Sequence, residues 1–127
     1  LDTGADIHAL RDPTRGGVGE TLCEWAQGDI DISFEEEALP LRPGTDAALR
    51  LLGMDPLFVA NEGIFLMAAP EKQAQTLVTA LRGCPEGRDA AVIGTVTPGR
   101  GDVFARTLCG TARRIFLPRG ELLPRIC

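Results

Sequence analysis

Proline and glycine interrupt this chain so often that no regular element in it can be long. Nine prolines and fifteen glycines are spread over 127 residues. Proline removes a backbone donor and clashes with the preceding helical turn, and glycine weakens element interiors. Breakers at Pro13, Gly28, Pro43, Gly53, Pro56, Gly63, Pro70, Gly83 and Pro98 leave windows of roughly a dozen residues, room for short helices and strands only. No apolar stretch approaches the ~20 residues needed to span a bilayer, and no signal peptide is visible. The length suits one compact domain with a real core.

Within those windows the pattern alternates between helix and strand. After Gly17, the residues Val18, Leu22, Trp25 and Ala26 fall on one helical face, and Gly28 is a natural stop. Trp25 is most simply a core residue. Asp29 to Phe34 alternates polar and apolar, as a half-buried strand does. Glu35-Glu36-Glu37 reads as a solvated turn. Thr45 is placed to cap a short helix carrying Ala48, Leu49 and Leu52. The continuous apolar run Ile64 to Ala68 predicts a central strand. Pro70 to Gly83 predicts a helix with Ala74, Leu77, Val78 and Leu81 as its buried stripe. Ala90 to Thr97 reads as a strand by its β-branched content. Pro98 to Asp102 is turn chemistry, and 103–108 with 112–117 reads as a hairpin. Late strands come in adjacent pairs, which favours an α+β layered domain over a strictly parallel sheet.

Net charge is −5 with both signs mixed along the chain. No Lys/Arg cluster tracks one element, so nucleic acid is not an expected partner, and neither is a membrane. Four cysteines stand at 23, 84, 109 and 127, without a Cys-x-x-Cys pair, and the one histidine is remote from them in sequence. Zinc sites usually need close ligand pairs, so no metal site is expected. Nor does the spacing form a disulfide framework; reduced thiols and a cytoplasmic location are expected.

Three segments carry possible chemistry. Arg11-Asp12-Pro13-Thr14-Arg15-Gly16-Gly17 leads into a helix start, where free N–H groups and the dipole favour an anion. Arg11 and Arg15 add fork-shaped donors suited to phosphate. Asp12 is placed to orient an arginine or a metal. The same residues also fit a tight loop with an internal Arg–Asp pair and glycines needed only for backbone geometry. It is not a Walker loop, because the lysine of that pattern is missing. Glu62, between two apolar runs, is either a general base or a solvated loop acid. His8, three residues before Arg11, is either a proton carrier beside the phosphate or structural. The end, Pro118 to Cys127, is too rich in proline and glycine for regular structure. Its terminal cysteine sits on either a ragged tail or a movable arm that presents a thiol.

The glycine-rich loop and the terminal Pro124-Arg125-Ile126-Cys127 together resemble the C-terminal domain of the HypE family of hydrogenase maturation proteins. That family is a branch of the aminoimidazole ribonucleotide (AIR) synthetase-like superfamily. The resemblance runs from Ile7 to Cys127. The loop alone admits cousins such as selenophosphate synthetase or thiamine-monophosphate kinase; the terminal cysteine narrows the match. The resemblance implies a three-layer α/β/α sandwich on a mixed sheet, partly ferredoxin-like, over residues 1–117, with 118–127 as a mobile tail. It also implies that Cys127 accepts a carbamoyl group from the carbamoyltransferase HypF. ATP with Mg2+ then drives dehydration to a thiocyanate, and the cyano group passes to iron on the HypC–HypD complex. Under that reading Arg11, Asp12, Thr14, Arg15, Gly16 and Gly17 form the phosphate side. Glu62 is the candidate proton acceptor, with His8 second.

Family members carry an N-terminal domain that forms the homodimer and holds most of the ATP and magnesium site. The chain here starts at Leu1 without that domain and reads as a piece of a longer protein, with no cofactor of its own and no activity alone. A redox or metal-binding thiol protein is the third class that the four cysteines allow.

Overall fold

The computed structural model describes residues 4–117. The elements run β1 (Ala9–Arg11), α1 (Gly17–Trp25), β2 (Ile30–Glu35), α2 (Pro43–Leu51), β3 (Leu66–Ala68), α3 (Glu71–Arg82), β4 (Gly94–Pro98), β5 (Val103–Arg106) and β6 (Ala112–Ile115). Single 3₁₀ turns cover Glu36–Ala38, Pro56–Phe58 and Pro85–Gly87. The larger sheet has the order β4-β2-β5-β6, and β1 pairs with β3 in a separate two-stranded ribbon. Strands β2 and β5 are parallel, whereas β2–β4 and β5–β6 are antiparallel. The fold is therefore α+β on a mixed sheet.

The core follows from the alternation in β2. Ile32 lies opposite Val103, and Val103 opposite Ile115, so three strands present one apolar row to the same face. Phe34, beside Ala105, continues that face. Leu22 and Ala26 of α1 join the same buried cluster, with Val18, Cys23 and Trp25 packed partly against it. The other face of β2 carries Asp31. Its carboxylate accepts the N–H groups of Arg100 (2.7 Å) and Asp102 (2.9 Å), which ties the β4–β5 turn to the central strand.

Three expectations change. The run Ile64 to Ala68 is not a central strand. Only Leu66–Ala68 is extended, in the two-stranded ribbon, and Ile64 and Phe65 are exposed. A continuous apolar run marks burial on both faces only when strands flank it, and among the described residues β3 has β1 alone. The strand expected from Ala90 starts at Gly94, which presses on the backbone of Ser33 and Phe34 so closely that a side chain has no space. Helix α2 begins at Pro43 rather than at Thr45, because proline at the first helical position is already at helical φ. The acidic turn is also tied down: Glu37 accepts the N–H of Leu108, and Glu36 pairs with Arg113.

Candidate functional site

The glycine-rich segment connects β1 to α1, and the ribbon's register decides what lies beside it. Arg11 is opposite Leu66. The chain leaving β1 and the chain entering β3 therefore meet at one end of the ribbon. Pro13 is buried there, and its carbonyl accepts the N–H of Asn61 at 3.2 Å. Glu62 is thus carried to the loop by its neighbour's backbone, and its side chain is exposed. His8 is at the other end of β1. Its N–H donates to the carbonyl of Ala68 at 2.9 Å, and its Nε2 lies 3.3 Å from Asp6 Oδ2. The ribbon brings Glu62 to the loop and leaves His8 apart from it.

The two glycines are fixed by conformation and by packing. Gly16 and Gly17 have φ of 62° and 63°, two successive left-handed residues that disfavour any side chain. A Cβ on Gly17 would stand 2.5 Å from the carbonyl oxygen of Leu57 and 2.6 Å from that of Val59. One on Gly19 would stand 2.7 Å from the Phe58 ring. The start of α1 is consequently seated on the 3₁₀ turn Pro56–Phe58. Backbone geometry alone thus demands these glycines, whatever else the loop does.

Charge around the loop is arranged in a way the sequence did not announce. Arg11 pairs with Glu24 of α1, not with Asp12. Glu20 folds its carboxylate over Gly16, in the first turn of α1, where the helix dipole favours negative charge. Arg15 is exposed, and among the described residues nothing engages its guanidinium. Asp12 is exposed and Thr14 half-buried. One free cation, Arg15, and one internal anion, Glu20, therefore share the helix start. An incoming anion would compete with Glu20 and gain Arg15. The only sequence signal for Glu20 is its place in the first helical turn; Glu24 becomes legible only once the fold sets α1 beside β1.

The thiols differ. Cys84 and Cys109 are exposed and free, and Cys23 is half-buried with Sγ 3.9 Å from the carbonyl oxygen of Ile115. Burial, and then the nearby Glu20 charge, pushes the Cys23 thiol above its ordinary range. Cys127, the thiol singled out by the sequence, lies outside the described residues, as does the whole segment 118–127. No group of three or more His, Cys, Asp or Glu side chains is placed to hold a metal among the described residues. No helix among them is long and apolar enough to cross a membrane. An open cleft of about 730 Å³ sits at the carboxyl ends of β2 and β5, away from the loop. It is lined by two carboxylates, Glu35 and Glu37, and one arginine, Arg106, which is 3.9 Å from Glu35.

Comparison with known proteins places this geometry. Residues 1–106 match the family described as AIR synthase related protein, C-terminal domain. The chain is 45% identical over 124 residues to the carbamoyl dehydratase HypE of Azotobacter vinelandii, covering 96% of this chain and 36% of that protein. A hydrogenase maturation protein HypE crystallised with ATP superposes with a TM-score of 0.90 at 36% identity, over 100% of this chain and 40% of that one. A HypE–HypF complex gives 0.83 at 34% identity, over 88% and 37%. The chain therefore spans little more than a third of the length of the relatives it matches.

Proposed function

The chain belongs to the AIR synthase related, C-terminal domain family, and from that premise we propose that it is the thiol-bearing part of a carbamoyl dehydratase serving hydrogenase maturation. The observation that carries the reading is the 45% identity over 124 residues to a carbamoyl dehydratase, in a chain that contains Cys127. The thiolate of Cys127 is the nucleophile; it attacks the carbamoyl carbon of the donor, and the bond from that carbon to the donor's leaving group breaks, the leaving group taking the electron pair.

The reaction turns S–C(=O)–NH2 into S–C≡N. The carbonyl oxygen leaves, and both N–H protons are lost. ATP bound by the whole protein supplies the phosphoryl group that makes this oxygen a leaving group. Arg15 and the backbone N–H groups at Gly16 and Gly17 face the phosphate side, with Arg11 joining once it parts from Glu24. Glu62, held beside the loop through Asn61, is the acceptor for an N–H proton. His8 is the second candidate, and its place at the far end of β1 makes it the weaker one. The cleft that contains adenosine and magnesium is assigned to the portion of the protein outside this domain.

The partners follow from the same reading. A HypF-type carbamoyltransferase loads Cys127, and a HypC–HypD complex takes the cyano group to iron. The whole protein works as a cytoplasmic homodimer, and the chain of 127 residues alone is inactive. An isotope experiment tests the chemistry. The full-length protein is loaded with a carbamoyl group carrying ¹⁸O and given ATP. The label is expected in inorganic phosphate; label released as water, with phosphate unlabelled, would overturn the phosphoryl route.

A further inference from the structure

A second basic site lies away from the glycine-rich loop, where the segment entering α2 meets the end of α3. A cleft of about 400 Å³ there is lined by Pro40, Arg42, Pro43, Arg82, Arg88 and Asp89, among others. Three arginines and one aspartate line it, in a chain whose net charge is −5. We propose that this cleft binds a phosphate-class oxyanion, with Arg42, Arg82 and Arg88 as its donors.

The donors are available. Among the described residues, no hydrogen bond or ion pair engages the Arg42 guanidinium. Arg82 donates Nε to the carbonyl of Ala90 at 2.9 Å. That bond fixes the guanidinium plane and leaves its two terminal amino groups for a ligand. Arg88 touches Asp89 only through Nε, at 3.4 Å. Guanidinium forks match the spacing of phosphate oxygens and bind them in pairs.

The helix start adds to this. α2 opens at the cleft wall, with Pro43 at its first position and no side-chain cap. Proline has no N–H to offer, so the donors left for a ligand are the amides of Gly44 and Thr45, at the positive end of the dipole. Three like charges around one cleft repel one another, and a dianion converts that repulsion into attraction. The cleft at β2 and β5 differs in its charge, with one arginine, Arg106, against two carboxylates, Glu35 and Glu37.

The test is an amide and guanidinium nitrogen NMR titration of the full-length protein with sodium phosphate at constant ionic strength. Gly44, Thr45 and the Arg82 Nε–H should shift and saturate, at about 1–10 mM as suits an exposed site. Arg42→Gln with Arg88→Gln should weaken binding about tenfold, while Arg11→Gln with Arg15→Gln leaves it within about twofold, since the two sites are separate. Repeating the titration with ATP distinguishes the source. Equal affinity assigns a free phosphate, and tighter binding assigns the phosphate end of a nucleotide. Shifts that match those from sodium chloride, or that survive the Arg42 and Arg88 substitutions unchanged, would overturn the proposal.

Discussion

At the scale of single residues, the glycine-rich loop is a contest between one free cation and one internal anion. Glu20 lies over Gly16, and among the described residues nothing engages Arg15. Glu20→Gln removes the competing charge and should strengthen phosphate binding at the loop by roughly threefold to tenfold, about 0.6–1.4 kcal/mol, the scale of a charge at a helix start. Isothermal titration of the two forms checks it; equal affinities would mean that Glu20 does not occupy the anion's place. Gly17→Ala should cost about 1–2 kcal/mol from the left-handed backbone alone, with more from the close carbonyls of Leu57 and Val59. Urea unfolding measures that loss. Asp31 offers a pH test. The N–H groups of Asp102 and then Arg100 hold its carboxyl below the usual carboxylate range. A depressed folded pKa contributes stability that is complete above the ordinary carboxylate pKa and disappears as the pH falls through the folded one. Asp31→Asn should therefore lower the melting midpoint at neutral pH and narrow the gap to the parent in acid. A gap that is constant down to strong acid would show that the Asp31 charge is not what ties down the β4–β5 turn.

At the scale of elements, β2 is the centre of the fold and also the most legible part of the sequence. It is bonded on both edges, to β4 and to β5. Phe34 on it is 1% exposed, and Phe34→Ala should cost roughly 3–5 kcal/mol. A loss under about 1 kcal/mol would mean that the core relaxes around the site. The polar–apolar alternation of β2, the apolar stripe of α1 and the turn at Pro98 to Asp102 are local patterns, so the sequence alone revealed them. The parallel pairing of β2 with β5 is not local. Nothing in either strand names its partner, because register across some seventy residues (Ile32 with Val103) is decided by which faces must be buried together. The Ile64 to Ala68 run misled for the same reason: apolar content signals burial, and only the neighbouring chain decides whether burial occurs. In the site, the glycines were legible through their conformational freedom. The partner of Arg11 was not, since Glu24 reaches it only after α1 packs beside β1.

At the scale of the whole molecule, the chain covers 36% of a carbamoyl dehydratase at 45% identity, and its exposed thiols complicate any test by labelling. Cys84 and Cys109 are exposed, and Cys23 is half-buried with its pKa raised. Alkylation at neutral pH should therefore modify Cys23 after Cys84 and Cys109. Without the remaining portion of the protein, the 127-residue chain should release no phosphate from ATP above background; turnover would show that the glycine-rich loop suffices. The central claim is that Cys127 carries the group being dehydrated. Peptide mass mapping of the full-length protein after loading with a carbamoyl donor and ATP tests it most directly. The account predicts a carbamoyl adduct on the Cys127 peptide that converts to a cyano adduct lighter by the mass of one water, and neither adduct in Cys127→Ala. A cyano adduct on Cys23, Cys84 or Cys109, or one that persists when Cys127 is replaced, would contradict it.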